Sequence, residues 1–272
     1  MYKIIEKRRL NKQVTFMTLD APFVARKVQA GQFVIIRIDE KGERIPLTVA
    51  DFDREAGTLS IIFHAVGLST KRLATLNVGD FIADCVGPLG LPTEFGEPKK
   101  AIVIGGGVGC AIAYPQAKAL HNMGIKVDVI AGFRSKDIVI LEDEMKSVCD
   151  NLHITTDDGT YGEKGFVTDV LKRLLKAGGV DLVIAIGPVP MMKFVSITTK
   201  PYSVKTIVSL NPIMIDGTGM CGGCRVSVGG EVKFACVDGP DFDGHLVDFD
   251  ELMRRNTLFK EEESHSCRMG GF

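Results

Sequence analysis

The alternation of strand-like and helix-like segments over residues 99–210 constrains this chain more than any other feature. AIVIGGG, from Ala101, reads as a strand that runs into a glycine turn, and a helix follows to about His121. Strand VDVIAGF, a helix over 138–150, strand LHITT, a helix over 166–176, strand DLVIAIG, a helix over 190–198 and strand VKTIVSL complete the series. Parallel strands need long crossovers, and helices supply them. The pattern therefore predicts a parallel sheet with helices on both faces. The polar segment GEPKK, residues 96–100, marks where this rhythm begins.

Residues 1–98 differ. Segments 13–19, 32–38, 58–66 and 81–86 are short, rich in Val, Ile and Phe, and separated by turn residues, which predicts an antiparallel barrel. One helix is expected after Ser69, taken as its cap. Residues 211–248 are dense in Gly and Cys with no helical period, and 248–272 read as a short charged helix and a mobile tail. The expectation is thus three domains: barrel over 1–98, α/β over 99–210, and a small cysteine domain with the tail over 211–272.

The net charge of −1 gives no electrostatic case for a nucleic-acid partner. No early apolar run resembles a signal peptide, and no apolar stretch is long enough to span a membrane. A cytoplasmic location is expected.

Three of the seven cysteines cluster. The chain reads DGTGMCGGC from Asp216 to Cys224, then Cys236, a spacing of D-x4-C-x2-C-x11-C. Plant-type [2Fe–2S] sites use C-x4-C-x2-C and a distant fourth Cys. Only the first position departs, and carboxylate ligates iron. Glycines at 217, 219, 222 and 223 give the loop conformational freedom, and its N–H groups are donors for sulfur. RVSV and EVKF flank Gly229 and Gly230 as a hairpin. Pairing Val228 with Glu231 sets Cys224 opposite Ala235, with Cys236 diagonally beside it. Two alternatives stay open: a structural zinc knuckle on the same cysteines, and an Asp-Gly turn in which Asp216 bonds only its own backbone. The other cysteines, 85, 110, 149 and 267, are expected to be inert buried groups.

Gly106, Gly107 and Gly109 form a strand-to-helix turn that is not the G-x-G-x-x-G fingerprint, because Cys110 stands at the third position. Its N–H donors still suit a pyrophosphate, and Gly187 and Pro188 follow a second strand end. In the barrel, GERIPLT and FHAVGLSTKRL offer Arg44 for a phosphate, Thr48 for a ring nitrogen, and Gly67, Ser69 and Thr70 at a helix start. Taken alone, Ser69 as a plain cap and Arg44 as a solvated charge are the simpler readings.

Together RIPLT, GLST, GPLG at 87–90, GGGVG and DGTGMCGGC…C resemble the ferredoxin–NADP reductase superfamily. More narrowly, they resemble the electron-transfer subunits of dihydroorotate dehydrogenase. They are most similar to the small subunits of NADH-dependent reduced ferredoxin:NADP⁺ oxidoreductase, also called sulfide dehydrogenase beta subunits. GERIPLT and Asp216, where the dihydroorotate enzymes have Cys, carry the last step. The resemblance implies FAD in the barrel and NAD(H) on the sheet. Arg44, Pro46, Leu47 and Thr48 would line the flavin, with the Thr48 hydroxyl reaching N5. Gly67, Ser69 and Thr70 would hold its phosphates. Gly106, Gly107, Gly109, Gly187 and Pro188 would meet the nicotinamide cofactor. A [2Fe–2S] cluster on Asp216, Cys221, Cys224 and Cys236 would pass single electrons to a larger FAD/[4Fe–4S] flavoprotein subunit. That heterodimer couples ferredoxin, NADH and NADPH by electron bifurcation. Two positions depart from the wider superfamily: Ile45 stands where it has its flavin arginine, and Ile186 where it has a cysteine near the nicotinamide. The rival readings are an electron-transfer subunit of dihydroorotate dehydrogenase or hydrogenase, and a non-enzymatic redox carrier or zinc-stabilised binding module.

Overall fold

The computed structural model describes residues 1–269. The first half of the chain makes strands β1 (Tyr2–Arg9), β2 (Val14–Asp20), β3 (Phe33–Arg37), β4 (Ile45–Asp53), β5 (Thr58–His64), β6 (Phe81–Ile82) and β7 (Asp84–Leu89), with helices α1 (Pro22–Ala25) and α2 (Leu68–Thr75). They form one antiparallel sheet in the order β6-β1-β2-β5-β4-β3-β7. Its two outer strands, β6 and β7, are joined by Ala83 alone, so the sheet curls into a near-barrel. The interior is apolar, built on Met17, Leu19, Val34, Ile36, Leu59, Ile61 and Phe63.

The second sheet is built from β8 (Lys100–Gly106), β9 (Lys126–Phe133), β10 (Asn151–Thr156), β11 (Glu163–Lys164), β12 (Leu182–Ile186) and β13 (Lys205–Ser209). The helices are α3 (Cys110–Asn122), α4 (Glu142–Lys146), α5 (Val167–Ala177) and α6 (Val189–Thr199). The order is β11-β10-β9-β8-β12-β13, all parallel. Successive residues of β8 point to opposite faces: Ala101 and Val103 pack with α3, Ile102 and Ile104 with α5 and α6.

A hairpin of β14 (Arg225–Val228) and β15 (Glu231–Phe234), strand β16 (Asp241–Asp243), and helices α7 (Phe249–Arg255) and α8 (Lys260–Met269) follow. Strand β16 pairs antiparallel with β13, so the second sheet is mixed rather than wholly parallel. Val228 pairs with Glu231, and Ala235 N–H donates to Cys224 O at 3.1 Å, the register expected from the hairpin. Val226, Phe249 and Leu252 pack into the same core as α5 and α6.

Three local expectations change. The helix expected over 138–150 is cut to a 3-10 turn at Lys136–Ile138 and the five residues of α4, because Leu141 takes a left-handed conformation, φ 58°, between them. Gly67, not Ser69, is the N-cap of α2: Thr70 Oγ1 accepts from the Gly67 N–H at 3.1 Å. The charged tail forms α8, with Cys267 Sγ 3.0 Å from Lys71 Nζ of α2; residues 270–272 of that expected mobile segment lie outside the described residues. Among the described residues no helix is long and apolar enough to cross a membrane.

Candidate functional site

Strand β4 changes partners half-way. Residues 45–48 pair with β3, and residues 49–53 pair with β5. On the β5 side, the ladder edge of Pro46, Leu47 and Thr48 is therefore open. Proline is tolerated there because its missing N–H leaves no ladder bond unmade. All three side chains are half-buried, whereas Val49 and Ala50 beyond them are buried. The Thr48 hydroxyl makes no hydrogen bond among the described residues. Helix α2 follows β5, and its start closes on the loop before β4. Ser69 Oγ donates to the Glu43 carboxylate, and Arg72 pairs with Asp39 at 2.7 Å. The two barrel motifs read from the sequence thus lie at one opening in the barrel wall. Arg44 is turned away from α2: its guanidinium donates to the carbonyls of Ile215, 3.4 Å, and Asp216, 3.0 Å. Ile45, in the superfamily's arginine position, is buried against the barrel.

The glycine turn lies at the carboxyl end of β8, beside that of β12. Chain order reverses between these two strands, where crevices form in such sheets. The glycines there serve two purposes. A Cβ on Gly109 would sit 2.4 Å from Ile186 O and 2.8 Å from Gly187 Cα; one on Gly187 would sit 3.1 Å from Gly106 Cα. Gly106, Gly109 and Gly187 thus let two turns pack backbone to backbone. Gly107 has φ +56° and open space where its Cβ would be. It is the one glycine of the group that leaves room for a ligand. Pro188 caps α6 and is exposed beside it.

Helix α3 carries the glycine turn onto the barrel. Ala111 and Ala113 share a core with Phe16, Ala50 and Ile62, and Lys118 Nζ reaches the Asp51 carboxylate at 2.7 and 2.9 Å. Neither Lys118 nor Asp51 stands in a motif, so nothing local in the sequence singles them out.

In the cysteine loop, Gly217, Gly219 and Gly222 all have left-handed backbones, at φ 81°, 85° and 66°. The loop lies on the barrel: a Cβ at Gly217 would meet Ile35 and Leu89 at 3.1 Å. Cys224 and Cys236 are buried with Phe33 and Ile35, and the Cys236 N–H donates to Cys224 Sγ at 3.4 Å. Burial, with Cys224 alongside, pushes the Cys236 thiol up to about 12. Cys221 is exposed, and its sulfur accepts from Gly223 N–H at 3.4 Å, which lowers that thiol. Asp216 Oδ2 accepts from the N–H groups of Thr218, 3.0 Å, and Met220, 3.3 Å, and from the Thr218 hydroxyl. These bonds hold its carboxyl below the usual range. Among the described residues, no three His, Cys, Asp or Glu side chains converge closely enough to hold a metal ion. The donor set nevertheless suits a [2Fe–2S] cluster: soft sulfur ligands, a carboxylate, left-handed glycines and N–H groups aimed at two of the sulfurs. Cys85 and Cys110 are buried, with thiols raised by burial.

The family model for the iron–sulfur cluster binding domain of dihydroorotate dehydrogenase B matches residues 211–248. An uncharacterized protein of Clostridium beijerinckii is 55% identical over 97% of this chain and 92% of its own length. The dihydroorotate dehydrogenase B (NAD(+)) electron transfer subunit homolog of Thermotoga maritima is 46% identical over 97% of this chain and 93% of its own. The chain belongs to this electron-transfer subunit family. It is also similar, with a TM-score of 0.93 and 45% identity, to a chain of the NADH-dependent reduced ferredoxin-NADP oxidoreductase, covering 98% of this chain and 96% of that one. An electron-transfer subunit of this kind is a flavin- and NAD(P)H-dependent oxidoreductase component. Its chemistry needs a nucleotide crevice, a flavin shelf and an iron–sulfur loop, and the subunit has a candidate for each.

Proposed function

We propose that this subunit exchanges hydride between NAD(H) at the 105–109 turn and FAD at the β4 opening, and passes single electrons through a [2Fe–2S] cluster to a larger flavoprotein. The observation that carries the reading is the course of β4. Its upstream end is tied by Arg44 to the carbonyls of the cysteine loop, and its downstream end by Asp51 to α3, the helix that leaves the glycine turn. At about 3.3 Å per residue, Thr48 lies roughly 13 Å along the strand from Arg44 and roughly 7 Å from Ala50. A flavin on Pro46, Leu47 and Thr48 is thereby set between a nicotinamide and a cluster.

Each residue then has a task. Thr48 presents a hydroxyl to the flavin's reacting edge. Ser69 and Thr70 offer first-turn N–H groups of α2 to its phosphates, and Gly67, the N-cap, brings the chain close beneath them. Gly107 admits the pyrophosphate, while Gly106, Gly109, Gly187 and Pro188 shape the crevice. Asp216, Cys221, Cys224 and Cys236 hold the iron. Flavin supplies the conversion between a two-electron donor and a one-electron acceptor. The protein's share is placement, exclusion of water, and N–H donors that tune the cluster.

The exposed Cys221 is bordered in sequence by Met220, 88% exposed, with Ile215, 55%, on the same loop. This apolar rim suits a partner protein rather than water. A second reading gives the subunit dihydroorotate dehydrogenase as its partner, favoured by the match over 211–248. Purification of the native complex tests both. Flavin absorption, iron and sulfide, and a co-purifying flavoprotein with further iron–sulfur clusters are expected. A dihydroorotate-oxidising partner selects the second reading, and a colourless protein containing zinc rejects both.

A further inference from the structure

Three polar side chains from three parts of the molecule share one cluster, in which Thr93 and Gln116 are buried and Asp241 is half-buried with its Oδ1 shut off from solvent. Thr93, in the segment after β7, places Oγ1 2.5 Å from Asp241 Oδ2 on β16 and 2.7 Å from Gln116 Nε2 on α3. Gln116 Nε2 also lies 3.5 Å from Asp241 Oδ2. The Thr93 hydroxyl thus donates to the carboxyl and accepts from the amide. Gly31, at φ +90°, makes room: a Cβ there would sit 2.2 Å from Thr93 Oγ1 and 3.1 Å from Asp241 Oδ2. Backbone bonds knit the same junction, from Leu91 N to Gly239 O at 2.7 Å and from Leu210 N to Pro240 O at 2.9 Å.

Two atoms are left over. Among the described residues, Gln116 Oε1 and Asp241 Oδ1 are both shut off from solvent and have no hydrogen-bond partner. If the carboxyl were ionised, the cluster would hold two orphan acceptors and an uncompensated charge. The groups acting on the carboxyl are the neutral side chains of Thr93, Ser209 and Gln116. The charged groups of the surrounding segments are engaged elsewhere. Lys118 of α3 is held by Asp51, Lys205 of β13 by the Glu94 carbonyl, and Asp243 of β16 lies near His245. Glu94 itself is exposed.

We infer that Asp241 is carried as a neutral carboxylic acid protonated on Oδ1, and that the Thr93–Gln116–Asp241 cluster is the positioning joint that fixes the glycine-turn helix and the cysteine segment against the barrel. Protonation turns one orphan acceptor into a donor and removes the charge from a cluster of neutral partners. Burial likewise drives this carboxyl above its ordinary range. The positioning half rests on the nicotinamide–flavin–cluster reading above; the protonation half stands without it.

The sign of the pH effect follows. Below about pH 3.9 the unfolded carboxyl also holds its proton. Above that, the unfolded chain ionises while the native chain keeps its proton. The stabilisation is full at acid pH and is lost as pH rises through the native value. Asp241→Asn offers the same acceptor and donor without ionising. In the full chain as purified, the urea midpoint of D241N should therefore rise relative to wild type as the pH is raised from about 3.9. The infrared difference between the two proteins should contain a carboxylic-acid C=O stretch. A carboxylate band instead, or a D241N midpoint that falls relative to wild type as the pH is raised, overturns the neutral acid. For positioning, Asp241→Ala should slow reduction of the flavin by NADH about tenfold with flavin and iron content unchanged, and D241N should restore the rate. If D241A does not accumulate as folded protein, Thr93→Val carries the same comparison with D241N. Equal rates in all variants, or a D241N as slow as the disrupted variant, overturn the joint. A wild type whose flavin is not reduced by NADH defeats the underlying reading instead, and leaves the midpoint and infrared tests intact.

Discussion

The glycine turn after β8 and the cysteine loop before β14 are both glycine-rich, yet they are finished by different things. The turn is finished by the fold. Its backbone is fixed between β8 and β12, and Gly106 and Gly109 are demanded by contacts with Met191, Ile186 and Gly187 whether or not a nucleotide is present. In the cysteine loop, Cys224 and Cys236 are fixed by the hairpin, while Cys221 is exposed and Asp216 bonds its own loop. A site made of backbone N–H groups comes with the sheet. A site made of side-chain ligands is completed by the metal it binds.

The strongest way to break that comparison is at the sulfurs. Cys224→Ser and Cys236→Ser should abolish the iron signal in electron paramagnetic resonance while the flavin absorption and its reduction by NADH persist. Loss of flavin along with iron would show that the loop holds the barrel together rather than a cluster alone. Next is Asp216. Its carboxylate shapes the turn and also stands where a plant-type site has its first cysteine. Asp216→Ala should lose or destabilise the cluster. Asp216→Cys should keep it with an altered resonance spectrum, and Cys267→Ser should be silent. A cluster unchanged in D216A and lost in C267S would give the fourth position to Cys267, whose contact here is with Lys71 of α2.

What could be read from the sequence follows the same division. The β/α alternation, the hairpin register and the glycine turn all express local rules, and the fold obeys them. Strand β4 was hidden by Arg44 and Pro46, since proline argues against a central strand; its change of partner from β3 to β5 is a property of the whole barrel. Strand β1 was hidden by its charges, YKIIEKRR, because much of it faces solvent. The bonds of Arg44 to residues 215 and 216, the Lys118–Asp51 pair and the Asp241 cluster span large sequence separations, and no local pattern announces them.

The glycines of the turn give a subtler contrast. Gly109→Ala drives a methyl into the Ile186 carbonyl and should destabilise the fold by about 1–3 kcal/mol in urea unfolding, before any ligand is considered. Gly107→Asn places a side chain in open space, with a residue that tolerates φ +56°. It should leave the unfolding midpoint nearly unchanged and weaken NADH about tenfold in a titration of flavin reduction. An unchanged NADH affinity in G107N would move the nicotinamide cofactor away from this turn.

The smallest expected effect is at Thr48, where the fold and the chemistry meet. Thr48 pairs with Phe33 on the neighbouring strand β3, and among the described residues its hydroxyl is unbonded at the open edge of β4. Valine has the same shape and the same preference for strands, so Thr48→Val tests the hydroxyl alone. If that hydroxyl donates to the flavin's reacting edge, its loss removes one neutral hydrogen bond in a site shielded from water, worth about 0.5–1.5 kcal/mol. That corresponds to a slowing of roughly two- to tenfold in stopped-flow reduction by NADH, with FAD still bound. Were the hydroxyl merely a surface group, the rate would be unchanged and FAD affinity unaffected. Were it a structural group, the unfolding midpoint would fall instead. A slowed reduction with an unchanged midpoint is the outcome that makes the β4 opening the place where the nicotinamide side of the molecule meets the iron–sulfur side.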